Sequence, residues 1–147
     1  MSTQVSAEVQ AKVRAAAKDR CGYCLCPQRL HPEPLEIDHI VPQGRGGGGD
    51  ESNLWMACGH CNGRKSARIV FRDPVTAQVV PLFNPRTDQW HEHFSWNEEG
   101  VVISGLTAIG RATVHALQLN HPRLIVVRMN WARAGWHPPD YERANAE

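Results

Sequence analysis

The chain has 147 residues, 41% of them hydrophobic and 21% charged, which allows one domain or a small module with an extension. That apolar fraction excludes wholesale disorder, and no apolar run approaches the ~20 residues a bilayer span requires. A net charge of +1 advertises no polyanionic partner, so nucleic-acid binding has to rest on local patches.

Ser6 is a suitable N-cap, Glu8 stands in the first turn, and Val9, Val13, Ala16 and Ala17 recur at helical spacing, which predicts an amphipathic helix over residues 6–19. No apolar stretch follows a charged start near the N-terminus, so a reducing cytoplasm is the expected setting. Residues 35–40 read as a short strand, and residues 43–50 hold five glycines, a loop. Residues 54–57 are a second short apolar run, and residues 62–68 are helix-compatible apart from Gly63. Two hairpins are predicted, one around Asp73-Pro74-Val75-Thr76 and one around Asn97-Glu98-Glu99-Gly100. Thr107 and Asn120 are the expected caps of two final helices, the second with Pro122 in its first turn and running to about Arg133. Residues 101–139 carry Arg111, Arg123, Arg128 and Arg133 without an acid, so one face is expected to be basic, while Asp88, Glu92, Glu98 and Glu99 cluster before it.

Cys21 and Cys24 form one CxxC, Cys58 and Cys61 a second, with 33 residues between the pairs. Two such knuckles supply the tetrahedral sulfur set that Zn²⁺ prefers, so a structural zinc is expected on Cys21, Cys24, Cys58 and Cys61. Cys26 is left over, and a swap that uses Cys26 in the first pair is the alternative. His60, inside the second knuckle, is expected to face solvent.

Between the knuckles lie Glu36-Ile37-Asp38-His39-Ile40-Val41-Pro42, the glycine loop and Ser52-Asn53-Leu54, and the second knuckle runs into Asn62-Gly63-Arg64-Lys65. Asp38 is a hard oxygen ligand, His39 a base that titrates near neutrality, and Asn62 a carbonyl-oxygen ligand, a set suited to hydrolysis. Arg64, Lys65 and Arg68 follow where phosphate oxygens would find cations.

In this order, CxxC, acid-His-Ile-x-Pro, glycine loop, Asn-Leu, CxxCN, Lys, residues 21–68 resemble the HNH endonucleases, the zinc-stapled branch of the ββα-metal nucleases. The resemblance covers about a third of the chain. It implies an α+β fold: a ββα-metal (His-Me finger) core over residues 21–72, stapled by the four cysteines, with an N-terminal helix in residues 1–20. Residues 73–147 would be an extension of hairpin and helices packed on the core. It further implies His39 as general base, Asn53 as a positioning residue that ties the loop backbone, and one divalent ion held by Asp38 and Asn62, with Glu36 as an auxiliary. Asn62 stands where a third signature His is common, and an amide oxygen there favours Mg²⁺ or Mn²⁺, with Ni²⁺ also possible. The implied substrate is DNA, with no membrane partner, and the chain acting as a monomer or homodimer. The competing readings are a non-catalytic zinc-dependent nucleic-acid-binding module and, more weakly, a zinc-stapled protein-interaction domain. Trp90, Phe94 and Trp96 are read as core rather than base-stacking residues, and His91 and His93 as surface residues rather than a metal clip.

Overall fold

A computed structural model describes residues 5–97 and 99–138. The expectations that touch residues 1–4, Glu98 and residues 139–147 lie outside those described. Helix α1 (Ala7–Ala16) begins where the sequence places it, with Ser6 Oγ accepting from the Val9 amide at 3.2 Å, and it buries Val13 completely. The chain then makes the first cysteine knuckle and a 3-10 turn (Gln28–Leu30) before strand β1 (Glu36–His39).

Strand β1 pairs antiparallel with β2 (Leu54–Ala57), and the register sets Asp38 opposite Trp55 and His39 opposite Leu54. The period of two along β2 drives Leu54 and Met56 into the core at zero exposure and leaves Trp55 on the other side, against Gly22 and Arg86. Helix α2 (Gly59–Lys65) follows immediately. It starts three residues before the predicted position because Cys58 caps it: the Cys58 Sγ accepts from the Cys61 amide at 3.5 Å. The loop between β1 and β2 contains two 3-10 turns, Gln43–Arg45 and Glu51–Asn53.

The rest of the chain adds two hairpins, β3–β4 (Val70–Arg72 with Val79–Pro81) and β5–β6 (Phe94–Trp96 with Ile103–Gly105), a short helix α3 (Trp90–His93), and helices α4 (Ala108–Leu117) and α5 (Pro122–Arg133). Both hairpins form where the turn residues predict them. The β3–β4 turn is organised by Asp73, whose buried carboxylate accepts from the Val75 and Thr76 amides and the Thr76 hydroxyl, and takes a bidentate Arg111 at 2.9 Å on each oxygen. That pairing holds Asp73 below the ordinary carboxylate range.

Three expectations need correction here. The cap of α5 is His121, whose Nδ1 accepts from the Arg123 amide at 3.1 Å, while the Asn120 side chain instead bridges the Ile103 amide and carbonyl at 2.8 Å each. The acid-free stretch is not a uniformly basic face, since Arg111 is paired with Asp73 and Arg128 is buried, donating to the carbonyls of Val101 and Leu119. His60 does not project into solvent: its Nε2 donates to the Leu117 and Gln118 carbonyls at 3.0 Å each, joining α2 to the end of α4.

The buried residues form one contiguous cluster that runs from Val13 of α1 through Tyr23, Leu54 and Met56 to Phe83, Phe94, Ile103 and Leu117. The aromatic residues pack among themselves, Phe83 edge-on to Phe94 at 5.1 Å and Trp90 beside Trp96 at 5.4 Å, which agrees with a core role. His91 and His93 lie on a helix turn, and His93 bonds Thr107 Oγ1 at 2.6 Å. Besides the His60 bonds, polar contacts lock this part onto the first knuckle and β2: Trp90 Nε1 donates to the Tyr23 carbonyl at 2.9 Å, and the Arg86 guanidinium to the Leu54 carbonyl at 3.1 and 3.2 Å.

Candidate active site

The thiols of Cys21, Cys24, Cys58 and Cys61 are all buried and lie within 4.8 Å of one another, and no disulfide links them. Cys24 and Cys58 Sγ are 3.8 Å apart, which matches the ~3.8 Å edge of a tetrahedron with Zn–S bonds of about 2.3 Å. The donor set and spacing therefore fit a structural zinc. Burial opposes ionisation of Cys21, yet contacts from Cys24, Cys26 and Cys61 bring its pKa to about 5. Cys58 is held low by all four neighbouring thiols, and Cys24 and Cys61 are then pushed up, first of all by Cys21. Four thiolates together need a cation among them, which is the role zinc fills. Cys26, the leftover, sits close by in a second grouping with His31 and Cys58.

Adjacent to this staple, β1 and α2 bound a small hollow lined by Ile37, Asp38, His39, Pro42, Gln43, Asn62 and Ser66. His39 Nε2 is buried and has no hydrogen-bond partner among the described residues. Asp38 is only 2% exposed: its Oδ2 accepts from the Tyr23 hydroxyl at 2.6 Å and its Oδ1 from the Lys65 ammonium at 3.1 Å. Burial and the Asp38 charge raise the Tyr23 pKa, so its hydroxyl stays protonated and donates. A carboxylate offers about four lone-pair sites, so these two bonds leave Asp38 acceptor capacity. Asn62 gives its Nδ2 hydrogen to Glu36 Oε1 at 2.8 Å, which leaves the amide oxygen unengaged in that bond. His39, Asp38 and Asn62 thus line one hollow, and carboxylate and amide oxygens are the donor types that a hard divalent ion takes.

Lys65 departs from its expected place among the phosphate-binding cations. It is 2% exposed, and besides Asp38 its ammonium donates to the His39 and Ile40 carbonyls at 3.1 Å each. An alkyl stem that crosses the interior beneath α2 therefore delivers a charge to the back of the site. Arg64 is half-buried and Arg68 exposed, with Arg68 bonded to the Arg64 carbonyl at 2.6 Å and lying over Phe71. Glu36 is exposed on the same strand face as Asp38.

Among the described residues, Asn53 makes its side-chain hydrogen bonds to none of these groups. Its Oδ1 accepts from the Val41 amide at 2.9 Å, and its Nδ2 donates to the Val41 and Gly48 carbonyls at 2.9 and 2.8 Å. It clips the glycine loop to the residue two positions after His39. The clip leaves no room at Gly47, where a Cβ would stand 1.6 Å from the Val41 carbonyl oxygen. Tyr23, the other partner of Asp38, escaped the sequence reading because nothing in the first knuckle signals which way its aromatic residue points.

Residues 21–68 match the family model described as HNH endonuclease, and this segment is an HNH endonuclease domain. Among curated proteins, the chain is similar to the Septu protein PtuB of Bacillus thuringiensis, at 26% identity over 116 residues. The match covers 77% of this chain and 42% of that relative, so the chain spans less than half the relative's length. No solved structure matches the chain. Among the described residues no helix is long and apolar enough to cross a membrane.

Proposed function

We propose that the chain is a metal-dependent endonuclease that hydrolyses phosphodiester bonds in DNA. The observation that carries this reading is the meeting of His39 with Asp38 and Asn62 in one hollow, His39 Nε2 having no hydrogen-bond partner among the described residues. His39 acts as general base and takes a proton from the attacking water; such help is typically worth ~10²–10⁴-fold. Asp38 and the Asn62 amide oxygen hold a divalent ion, Mg²⁺ or Mn²⁺, which when bound supplies Lewis-acid stabilisation of charge on the leaving oxygen. Lys65 and Tyr23 fix the Asp38 carboxylate from behind, and Glu36 fixes the Asn62 amide. Asn53 is a positioning residue that acts through the backbone beside His39. Arg68 and Arg64 contact substrate phosphates. The five free cysteines suit a reducing cytoplasm, and because one such site cuts one strand, a double-strand break takes two visits or two copies of the chain.

The test is plasmid nicking by the zinc-loaded chain with added Mg²⁺, Mn²⁺ or Ni²⁺, run beside His39→Ala. Metal-dependent nicking is expected, reduced about 10²–10⁴-fold in the variant with zinc content and DNA affinity kept. Absence of nicking with every ion, while the chain still binds DNA, would replace this reading with the non-catalytic zinc-dependent binding module.

A further inference from the structure

A second cleft lies on the neighbouring face of α2, lined by Gly59, His60, Gly63, Arg64, His121 and Arg123, with a volume of about 480 Å³. Positions 59, 60, 63 and 64 turn toward it, whereas Asn62 and Ser66 turn toward the candidate active site, so one helix, about 10–12 Å across with its side chains, separates the two hollows. Its far wall is the start of α5, outside the segment that matches the family model.

The lining is cationic and open. Arg64 and Arg123 come from different helices, and no carboxylate lines the cleft; Glu36, at its Gly59 edge, is bonded to Asn62. Gly63 has free space where a side chain would stand, so the helix surface is low enough for another backbone to approach. His121 accepts the Arg123 amide through Nδ1, which puts its proton on Nε2 and makes the neutral ring a hydrogen-bond donor. Burial, then the charges of Arg123 and Arg64, lower the His121 pKa, which favours the neutral ring. His60 packs against the His121 ring at 5.8 Å and has its Nε2 committed to backbone carbonyls, so it shapes the cleft rather than donating from that nitrogen.

We propose that this cleft holds a backbone phosphate of the nucleic-acid strand being cut, a neighbour of the phosphate at His39, with Arg64, Arg123 and His121 Nε2–H as donors. The inference rests on the endonuclease reading and extends it: the C-terminal part of the chain becomes a substrate contact. Arg123 gives a charge-assisted bond that displaces counterions, and His121 a neutral one.

The test measures the affinity of the full-length His39→Ala chain for a short DNA duplex over a range of NaCl concentrations, with and without Arg123→Gln or His121→Asn. Asn is a good N-cap, so the second variant keeps the start of α5 while removing the Nε2 donor. Arg123→Gln is expected to weaken binding about threefold to tenfold and lower the slope of log affinity against log salt by about 0.9. His121→Asn should weaken binding with the slope unchanged. If both variants bind as the parent does, the cleft is not a phosphate site, and the endonuclease reading stands on the nicking assay alone. If the His39→Ala chain does not bind DNA and the unmodified chain does not nick it with any ion, both proposals are overturned.

Discussion

Lys65 has the most consequential single position in the site, because two full charges, its own and that of Asp38, are buried at 2% exposure each and neutralise one another at 3.1 Å. Removing one partner of such a pair leaves the other charge uncompensated in the interior, a cost of about 3–5 kcal/mol. Lys65→Met is therefore expected to lower unfolding free energy in urea by roughly that amount, while Asp38→Asn combined with Lys65→Met loses less than the sum of the single changes. Additive losses would show that the pair is not coupled. At this scale the sequence told which residue types gather and in what order, and the structure brings Asp38, His39 and Asn62 to one hollow. It did not tell that Lys65 points inward, because a Lys two positions past a glycine in a polar helix carries no sign of the carboxylate waiting beneath it. Tyr23 was hidden for the same reason, since its partner lies 15 residues further on.

The elements follow their local chemistry closely where that chemistry is unambiguous. Ser6 and Thr107 cap helices as their side chains predict, and Asp73 nucleates its turn. Boundaries moved where a tertiary partner outbid local preference: Asn120 turned away from the cap of α5 to hold Ile103, and a thiol took over the start of α2. The glycine loop shows the limit of composition as a guide, since five glycines suggest slack while only particular positions are constrained. Gly47→Ala drives a Cβ into the Val41 carbonyl, whereas nothing lies within 4 Å of a Cβ at Gly44. Gly47→Ala should cost about 1–3 kcal/mol and speed hydrogen exchange at the Ile40 and Val41 amides, which Asn53 binds. Gly44→Ala should stay within about 0.5 kcal/mol; equal effects of the two would remove the clip as the organising feature.

For the molecule as a whole, the four-cysteine cluster ties the first knuckle to the second, beside the bonds from Gly22 to Met56 and from Tyr23 to Asp38. Structural zinc contributes on the order of 10 kcal/mol of binding free energy to folding in small domains. Cys58→Ser is therefore expected to abolish zinc binding and lower the melting temperature sharply, and Cys26→Ser to keep one zinc per chain, measured by metal analysis beside thermal melts. A stable Cys58→Ser chain would argue that the core stands without the staple. The wider architecture was only partly legible in advance: the two hairpins and the helix capped by Thr107 could be read from turns and caps, but not the short helix α3, nor that Trp90 and Arg86 would dock on the Tyr23 and Leu54 carbonyls, contacts without a sequence pattern. The pairing of Asp38 with a lysine 27 residues later also sets a timetable. At translation speeds of roughly 5–20 residues per second, a growing chain carries its histidine for about 1–5 seconds before the ammonium that completes the pocket has even been polymerised. The buried pair, like the four-cysteine cluster, can therefore close only after the second knuckle has been made.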